Sequence, residues 1–271
     1  MCLSDRTNYT SRRQIANLMR LLSVTLSGLI GNLADQVSRH NNPWRIVQGY
    51  SVVAADGLYG STCAVPIVPT AQLVTPQKTT GTWYGYLSRR GSGLAIPRYN
   101  EVLTYTGQGQ TVLPGSITSA EAVMEEIYYF AGANGTDCKA KWAEKYFTII
   151  GTQFGIGMTS DTPSPKFEAT FTLYQDYDTL EILYQCAKPN YITTRCDDPH
   201  IFVNSRKRPD QMSGADKEYT LQIINAVLDP YCLSHKRLTA VIWDSKRETC
   251  TVPHPAFFDD LVNGVKATLT A

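Results

Sequence analysis

Few groups in this chain can do covalent or acid–base chemistry, and their spacing narrows what that chemistry is. Setting Cys2 aside leaves Cys63, Cys138, Cys186, Cys196, Cys232 and Cys250. No two form a C-x-x-C pair, and His40, His200, His235 and His254 are dispersed, so the sequence argues against a metal site. Six cysteines suit a disulfide framework instead, which requires an oxidising compartment; spacing alone selects no pairing. A Ser-His-Asp arrangement finds no place, because His200 falls on a strand-like segment and the other histidines in terminal or loop segments. Asp176 and Asp178 invite an acid–base reading. Trp83 and Tyr84 form an aromatic pair, and several strand-like segments carry apolar faces.

The elements that must position these residues are mostly strands. Tyr99–Tyr105 is strand-like, and Gly107-Gln108-Gly109 is expected to turn it into the next strand. Lys145–Ile150 is another. In Lys166–Leu173, Phe167, Ala169, Phe171 and Leu173 alternate with Lys166, Glu168, Thr170 and Thr172. One dry and one wet face suit a barrel wall; the alternation leaves open whether the dry face lines a cavity or lies beneath a helix. We read its four apolar residues as ligand-binding. Ala120–Ile127 departs from strand character and is expected to begin a short helix. Ser213-Gly214-Ala215-Asp216 resembles a capping box, and the stripe Tyr219, Leu221, Ile224, Val227 and Leu228 predicts a helix ending at Asp229-Pro230.

Composition fits a folded carrier. With 271 residues, 43% hydrophobic and 18% charged, the chain can bury one core and a small appendage. A formal charge of +1 gives no global electrostatic pull toward nucleic acid or an anionic membrane. Arg12, Arg13 and Arg20 precede the apolar run Leu21–Ile30, so 1–34 reads as a signal peptide or N-terminal helix, too short in its apolar part for a stable membrane span. We read 35–62 as a linker, 63–252 as the barrel with its helix, and 253–271 as a tail with Phe257, Phe258, Leu261 and Val265 at roughly helical spacing.

Three separated segments carry a family resemblance: Gly81-Thr82-Trp83-Tyr84, Gln175–Cys186 with Asp176-Tyr177 inside it, and Phe202–Pro209 with Arg206. In this order they resemble the lipocalins, whose G-x-W-Y opens the barrel, whose T-D-Y follows, and whose late Arg lies over the Trp; Gln175 stands where the family has Thr. The resemblance implies an all-β fold with flanking helices: an eight-stranded antiparallel up-and-down barrel with a C-terminal α-helix packed outside. Gly81, Trp83, Asp176, Tyr177 and Arg206 would be structural, with Arg208 as the other arginine in reach of the indole. A guanidinium over an indole gains about 0.5–2 kcal/mol.

The cysteine pattern resembles the secreted retinol-binding protein and apolipoprotein D branch, which implies Cys63–Cys232, Cys138–Cys250 and Cys186–Cys196. Leu94, Ala95 and Ile96 are similar to that branch's apolar entrance loop, with Ala95 smaller than its aromatic residue. The implied function is extracellular binding and transport of a small hydrophobic ligand (a retinoid, sterol, fatty acid, carotenoid or tetrapyrrole) with no required cofactor and with a carrier protein or cell-surface receptor as partner. Binding of proteins through the open-end loops, including the Gly107–Gly135 region, is the alternative. An enzymatic role is set aside: no cysteine lies between Trp83 and Cys138, and Asp176 matches the family's turn-stabilising acid. The sequons at Asn8 and Asn134 fit a secretory route, with Asn134 the candidate glycosylation site.

Overall fold

Strand pairing dominates the chain because apolar and polar side chains alternate over long runs. The computed structural model describes residues 65–90, 97–112, 119–147, 152–231, 233–247, 249–255, 258 and 260. The expectations for 1–62, for Leu94, Ala95 and Ile96, and for Cys63 and Cys232 lie outside these residues.

A single helical turn, α1 (Pro76–Thr79), leads into eight strands: β1 (Gly81–Arg89), β2 (Tyr99–Val112), β3 (Ser119–Ala131), β4 (Asp137–Phe147), β5 (Thr152–Thr159), β6 (Thr162–Asp176), β7 (Leu180–Asn190) and β8 (Arg195–Ser205). Each pairs antiparallel with the next, and β8 returns to β1, so the sheet closes into an up-and-down barrel. Closure leaves no strand of the wall without a partner.

Two local readings are corrected. Ala120–Ile127 is not helical but lies within β3, paired with both β2 and β4. Its alanines, Met124 and glutamates favour a helix intrinsically, and strand partners on both sides override that preference. Gly107–Gly109 does not turn the chain; β2 continues through it with a register shift between Gly107 and Gly109, where Gly109 has φ +83°.

The helix α2 (Gly214–Leu228) begins as the sequence predicts. The Ser213 hydroxyl accepts from Asp216 N, and the Asp216 carboxylate accepts from Ser213 N. Its fully buried Ile224 and Leu228 pack with Phe171, Leu173, Ile182, Ile201 and Val203 on the outside of the barrel wall, while Tyr219 stays exposed. A second bulge, between Gly85 and Leu87 of β1, puts Trp83 in the interior and Leu87 beneath this helix.

After α2 the chain returns to the barrel. The short strand β9 (Thr239–Ala240) pairs with Leu87 and Ser88, past the point where β1 leaves β2. Ile242 N donates to Arg98 O and Ile242 O accepts from Asn100 N, so this segment spans the seam between β1 and the start of β2. Asn100, at φ +48°, brackets the backbone of Asp244 with both ends of its amide. Disulfides Cys138–Cys250 and Cys186–Cys196 are formed as the resemblance implied. The first ties the C-terminal segment to β4; the second bridges the β7–β8 hairpin.

One end of the barrel is sealed by Arg206. Its guanidinium lies 3.8 Å over the Trp83 ring and donates to the carbonyls of Tyr177, Thr82, Lys78, Thr79 and Thr80. Trp83 is fully buried, and its Nε1 donates to Thr79 O at 2.8 Å. Arg208 instead faces Trp243 at 5.2 Å. Lysine cannot reproduce a planar five-donor fork, so Arg206→Lys is expected to lower the free energy of unfolding by roughly 2–4 kcal/mol in urea titration. Lys207→Ala removes a surface ion pair with Asp216, screened by solvent, and is expected to leave stability nearly unchanged. Equal small effects from the two variants would disprove the sealing role.

Candidate ligand site in the barrel

Period-two alternation sends every second residue of each strand into the barrel. Near the sealed end these residues form an apolar floor: Trp83, Leu103, Tyr105, Val123, Ile127 and Phe147. Above the floor lies a cavity of about 280 Å³. Its wall mixes apolar side chains, among them Leu103, Ile127, Tyr129, Leu183 and Phe202, with Arg90, Arg98, Glu101, Glu125, Lys141, Lys145 and Glu168.

The charges are paired in two groups. In the inner group Lys145 forms an ion pair with Glu125, and Lys141 reaches Glu125 at 3.6 Å while also pairing with Glu168. In the outer group Arg98 pairs with Glu101, and Arg90 reaches the same carboxylate at 3.5 Å. Arg98 stacks over Tyr129 at 3.6 Å and Arg90 over Phe202 at 4.6 Å. Glu101 fits because β1 carries Gly85 opposite it: a Cβ there would meet the Glu101 side chain at 2.9 Å.

Burial alone would raise the pKa of Glu101 and Glu125. The charges of Arg98 and Arg90 in the first case, and of Lys145 and Lys141 in the second, outweigh burial and hold both below the ordinary carboxylate value. Burial also lowers the His200 pKa, against a partly opposing Asp198 at 3.6 Å. Glu181 behaves differently. Its Oε1 accepts from Asn204 at 2.7 Å and from the Tyr105 hydroxyl at 3.3 Å, and that hydroxyl also contacts Glu125 at 3.1 Å. Burial dominates there and pushes Glu181 up to about 7.

The residues read from sequence fall in several places. Arg206, Trp83 and Gly81 meet at the sealed end, where the Gly81 Cα faces Arg206. Asp176 holds the β6–β7 turn, accepting from Asp178 N at 3.1 Å and the Thr179 hydroxyl at 2.8 Å. Tyr177 receives Thr75 N on its hydroxyl and Arg206 on its carbonyl. Phe171 and Leu173 pack in the cluster with α2, Ala169 lies against that cluster, and Phe167 is 40% exposed. The cavity is lined instead by Glu168 and Thr170, the opposite face of the same strand from the four residues read as ligand-binding. Asn134 sits exposed in the β3–β4 turn.

Sequence reasoning missed the interior charges. The available signal was even spacing between residues of one strand face that includes charges: Glu125 two before Ile127, Lys141 four before Lys145, Glu168 two before Thr170. Among the described residues no cluster of His, Cys, Asp or Glu is placed to hold a metal ion, and no helix is long and apolar enough to cross a membrane.

The raised Glu181 pKa has a defined sign. Unfolded, this carboxyl titrates near 4.3. Between there and about 7 the folded protein binds more protons than the unfolded one. This stabilising contribution is therefore complete below the unfolded value and lost as pH rises through about 7. Glu181→Gln keeps the acceptor oxygen and removes the titration. It is expected to gain stability over the parent at pH 8, by up to on the order of 3 kcal/mol, and to lose that advantage near pH 4.5. Urea unfolding at both pH values checks this, and a pH-independent difference would refute it.

Comparison with known proteins gives no matching family model and no matching curated protein. Solved structures do match. The cockroach allergen Per a 4 is 15% identical over 67% of this chain and 96% of its own, with a TM-score of 0.46. Lobster apocrustacyanin A1 is 14% identical over 69% and 94%, with a TM-score of 0.46. Insecticyanin from the tobacco hornworm Manduca sexta is 14% identical over 69% and 89%, with a TM-score of 0.40. The closed eight-stranded up-and-down barrel, the helix outside it and the arginine over a buried tryptophan at the sealed end are this chain's own features, and they give it the lipocalin fold.

Proposed function

We propose that this chain is a secreted lipocalin that binds and carries one small organic molecule inside its barrel. The observation that carries the reading is the graded interior: an apolar floor at the sealed end, then a cavity whose aromatic and aliphatic side chains are interleaved with paired charges. Concave sites with mainly apolar contact and a few placed polar groups are the usual form of small-molecule sites. Apolar surface withdrawn from water by a ligand would contribute about 25 cal/mol per Å². The charges narrow the ligand class. A wholly apolar molecule would lie against carboxylates and guanidinium groups without satisfying them, so the wall favours an amphipathic ligand over a sterol or carotenoid.

The cavity's size points the same way, toward a ligand smaller than a carotenoid or tetrapyrrole. Binding rather than catalysis is the role proposed, because the carboxylates in the wall are engaged with cations and Asp176 is engaged by its own turn. The two disulfides support an oxidising, extracellular setting.

Native mass spectrometry of protein secreted from a eukaryotic host, before and after denaturation, tests the proposal. A discrete small mass lost on denaturation is expected. Protein with intact disulfides that carries no bound mass, and that retains none after incubation with retinoid, fatty-acid and bilin probes, would defeat the carrier reading in favour of protein binding through the open-end loops.

A further inference from the structure

Resting on the carrier reading, the distribution of charge around the cavity says what polar group the ligand brings. Four cations line it, Arg90, Arg98, Lys141 and Lys145, against three carboxylates, Glu101, Glu125 and Glu168. Lys141 and Lys145 pair with Glu125 and Glu168, with Glu181 also near Lys145, whereas Arg90 and Arg98 both pair with the carboxylate of Glu101. His200 lines the same region; burial lowers its pKa, and Asp198, 3.6 Å away, opposes that shift.

Both arginines are also held in place. Arg98 is fixed through its backbone by Ile242 and through its guanidinium by Tyr129; Arg90 is fixed over Phe202. Stacking on an aromatic face leaves the edge of a guanidinium, with its N–H groups, free for an acceptor in the same plane. The Arg90 Nε is buried and has no hydrogen-bond partner among the described residues. Placing two guanidinium groups on one carboxylate leaves donors for a second, and forked Arg–carboxylate pairs are strong, directional hydrogen bonds.

We propose that the cavity selects a small organic anion, with a carboxylate or comparable acid group bound by Arg90 and Arg98 beside Glu101 and an apolar body lying toward Leu103, Ile127 and Leu183. The acid group would take up donors that Arg90 and Arg98 leave unfilled when they share Glu101. A cation of the same shape would meet the arginines with like charge. A neutral alcohol would meet them with weak acceptors only.

Isothermal titration calorimetry of the disulfide-intact full chain at pH 7.5 with three probes of one shape tests this: 3-phenylpropionate, 3-phenylpropan-1-ol and 3-phenylpropylamine. The carboxylate is expected to bind at least about tenfold more tightly than the alcohol, and the amine more weakly than either. Arg98→Gln is expected to erase the preference for carboxylate over alcohol through a loss of at least about tenfold in carboxylate affinity. Glu101→Gln removes the competing carboxylate and is expected to tighten carboxylate binding, a gain that damage to the fold would not produce. Alcohol or amine binding as tightly as the carboxylate, weakened carboxylate binding in Glu101→Gln, or binding of none of the three would each overturn the anion inference. The carrier reading is judged separately: it fails only if the native mass spectrum also shows no bound molecule.

Discussion

The stacking of Arg206 on Trp83 is the constraint on which the barrel interior depends. An up-and-down barrel has two open ends, and a cavity that is to differ from water must be closed at one of them. Here one guanidinium closes it by joining segments remote in sequence: the α1 turn through Lys78 and Thr79, the start of β1 through Thr80 and Thr82, and the β6–β7 turn through Tyr177. Every one of these partners is a backbone carbonyl at a strand or helix end, where the regular ladder leaves acceptors unfilled. The arginine therefore satisfies carbonyls at these ends, sharing Thr79 O with Trp83 Nε1, and its ring contact shields the indole that forms the floor.

With that end sealed, the interior becomes a medium in which charge placement matters. A pair of charges interacts more strongly there than in water, and an unpaired one is more costly. Buried ion pairs are poor stabilisers, since desolvation offsets much of their attraction. What they do well is fix geometry. Glu125 is approached by Lys145, Lys141 and Tyr105, and Tyr105 passes the constraint to Glu181. Gly85 gives Glu101 its seat, and the glycines at 155 and 157 lie against the Lys145 and Lys141 side chains, so the wall is thinned where the charges need room. Cavity shape and charge placement are thus one property of the strands.

How much of this was legible in the sequence depended on how local each feature is. The capping box of α2 and the Asp176 turn are set by neighbours within three residues, and both are found as read. Trp83 and Arg206 were legible through their flanking residues. The direction of β6 was not. Alternation gives a period of two and no sign, and the sign is decided by α2: Ile224 and Leu228 need an apolar surface outside the barrel, and Phe171 and Leu173 provide it. In β3, Ala120 to Ile127 reads as helix locally because a single strand's sequence cannot show that partners wait on both edges. The charges lining the cavity come from Arg90 just after β1, from Arg98 just before β2, and from β2, β3, β4 and β6, and no spacing within one segment reveals that they converge.

The convergence also explains why the C-terminal segment belongs to the site. Arg98 immediately precedes β2, where β1 has already departed, and its backbone carbonyl accepts from Ile242 N. Ile242 is held by the Asn100–Asp244 bracket and by Trp243, whose Nε1 donates to Gly85 O, the same glycine that makes space for Glu101. Farther along, Cys250 anchors the segment to β4. The position of the outer arginine thus follows from a stretch more than a hundred residues away, tied by a covalent bond and a side-chain bracket. The proposed charge selectivity of the cavity and the attachment of the tail to the barrel therefore share one contact, that of Ile242 with Arg98.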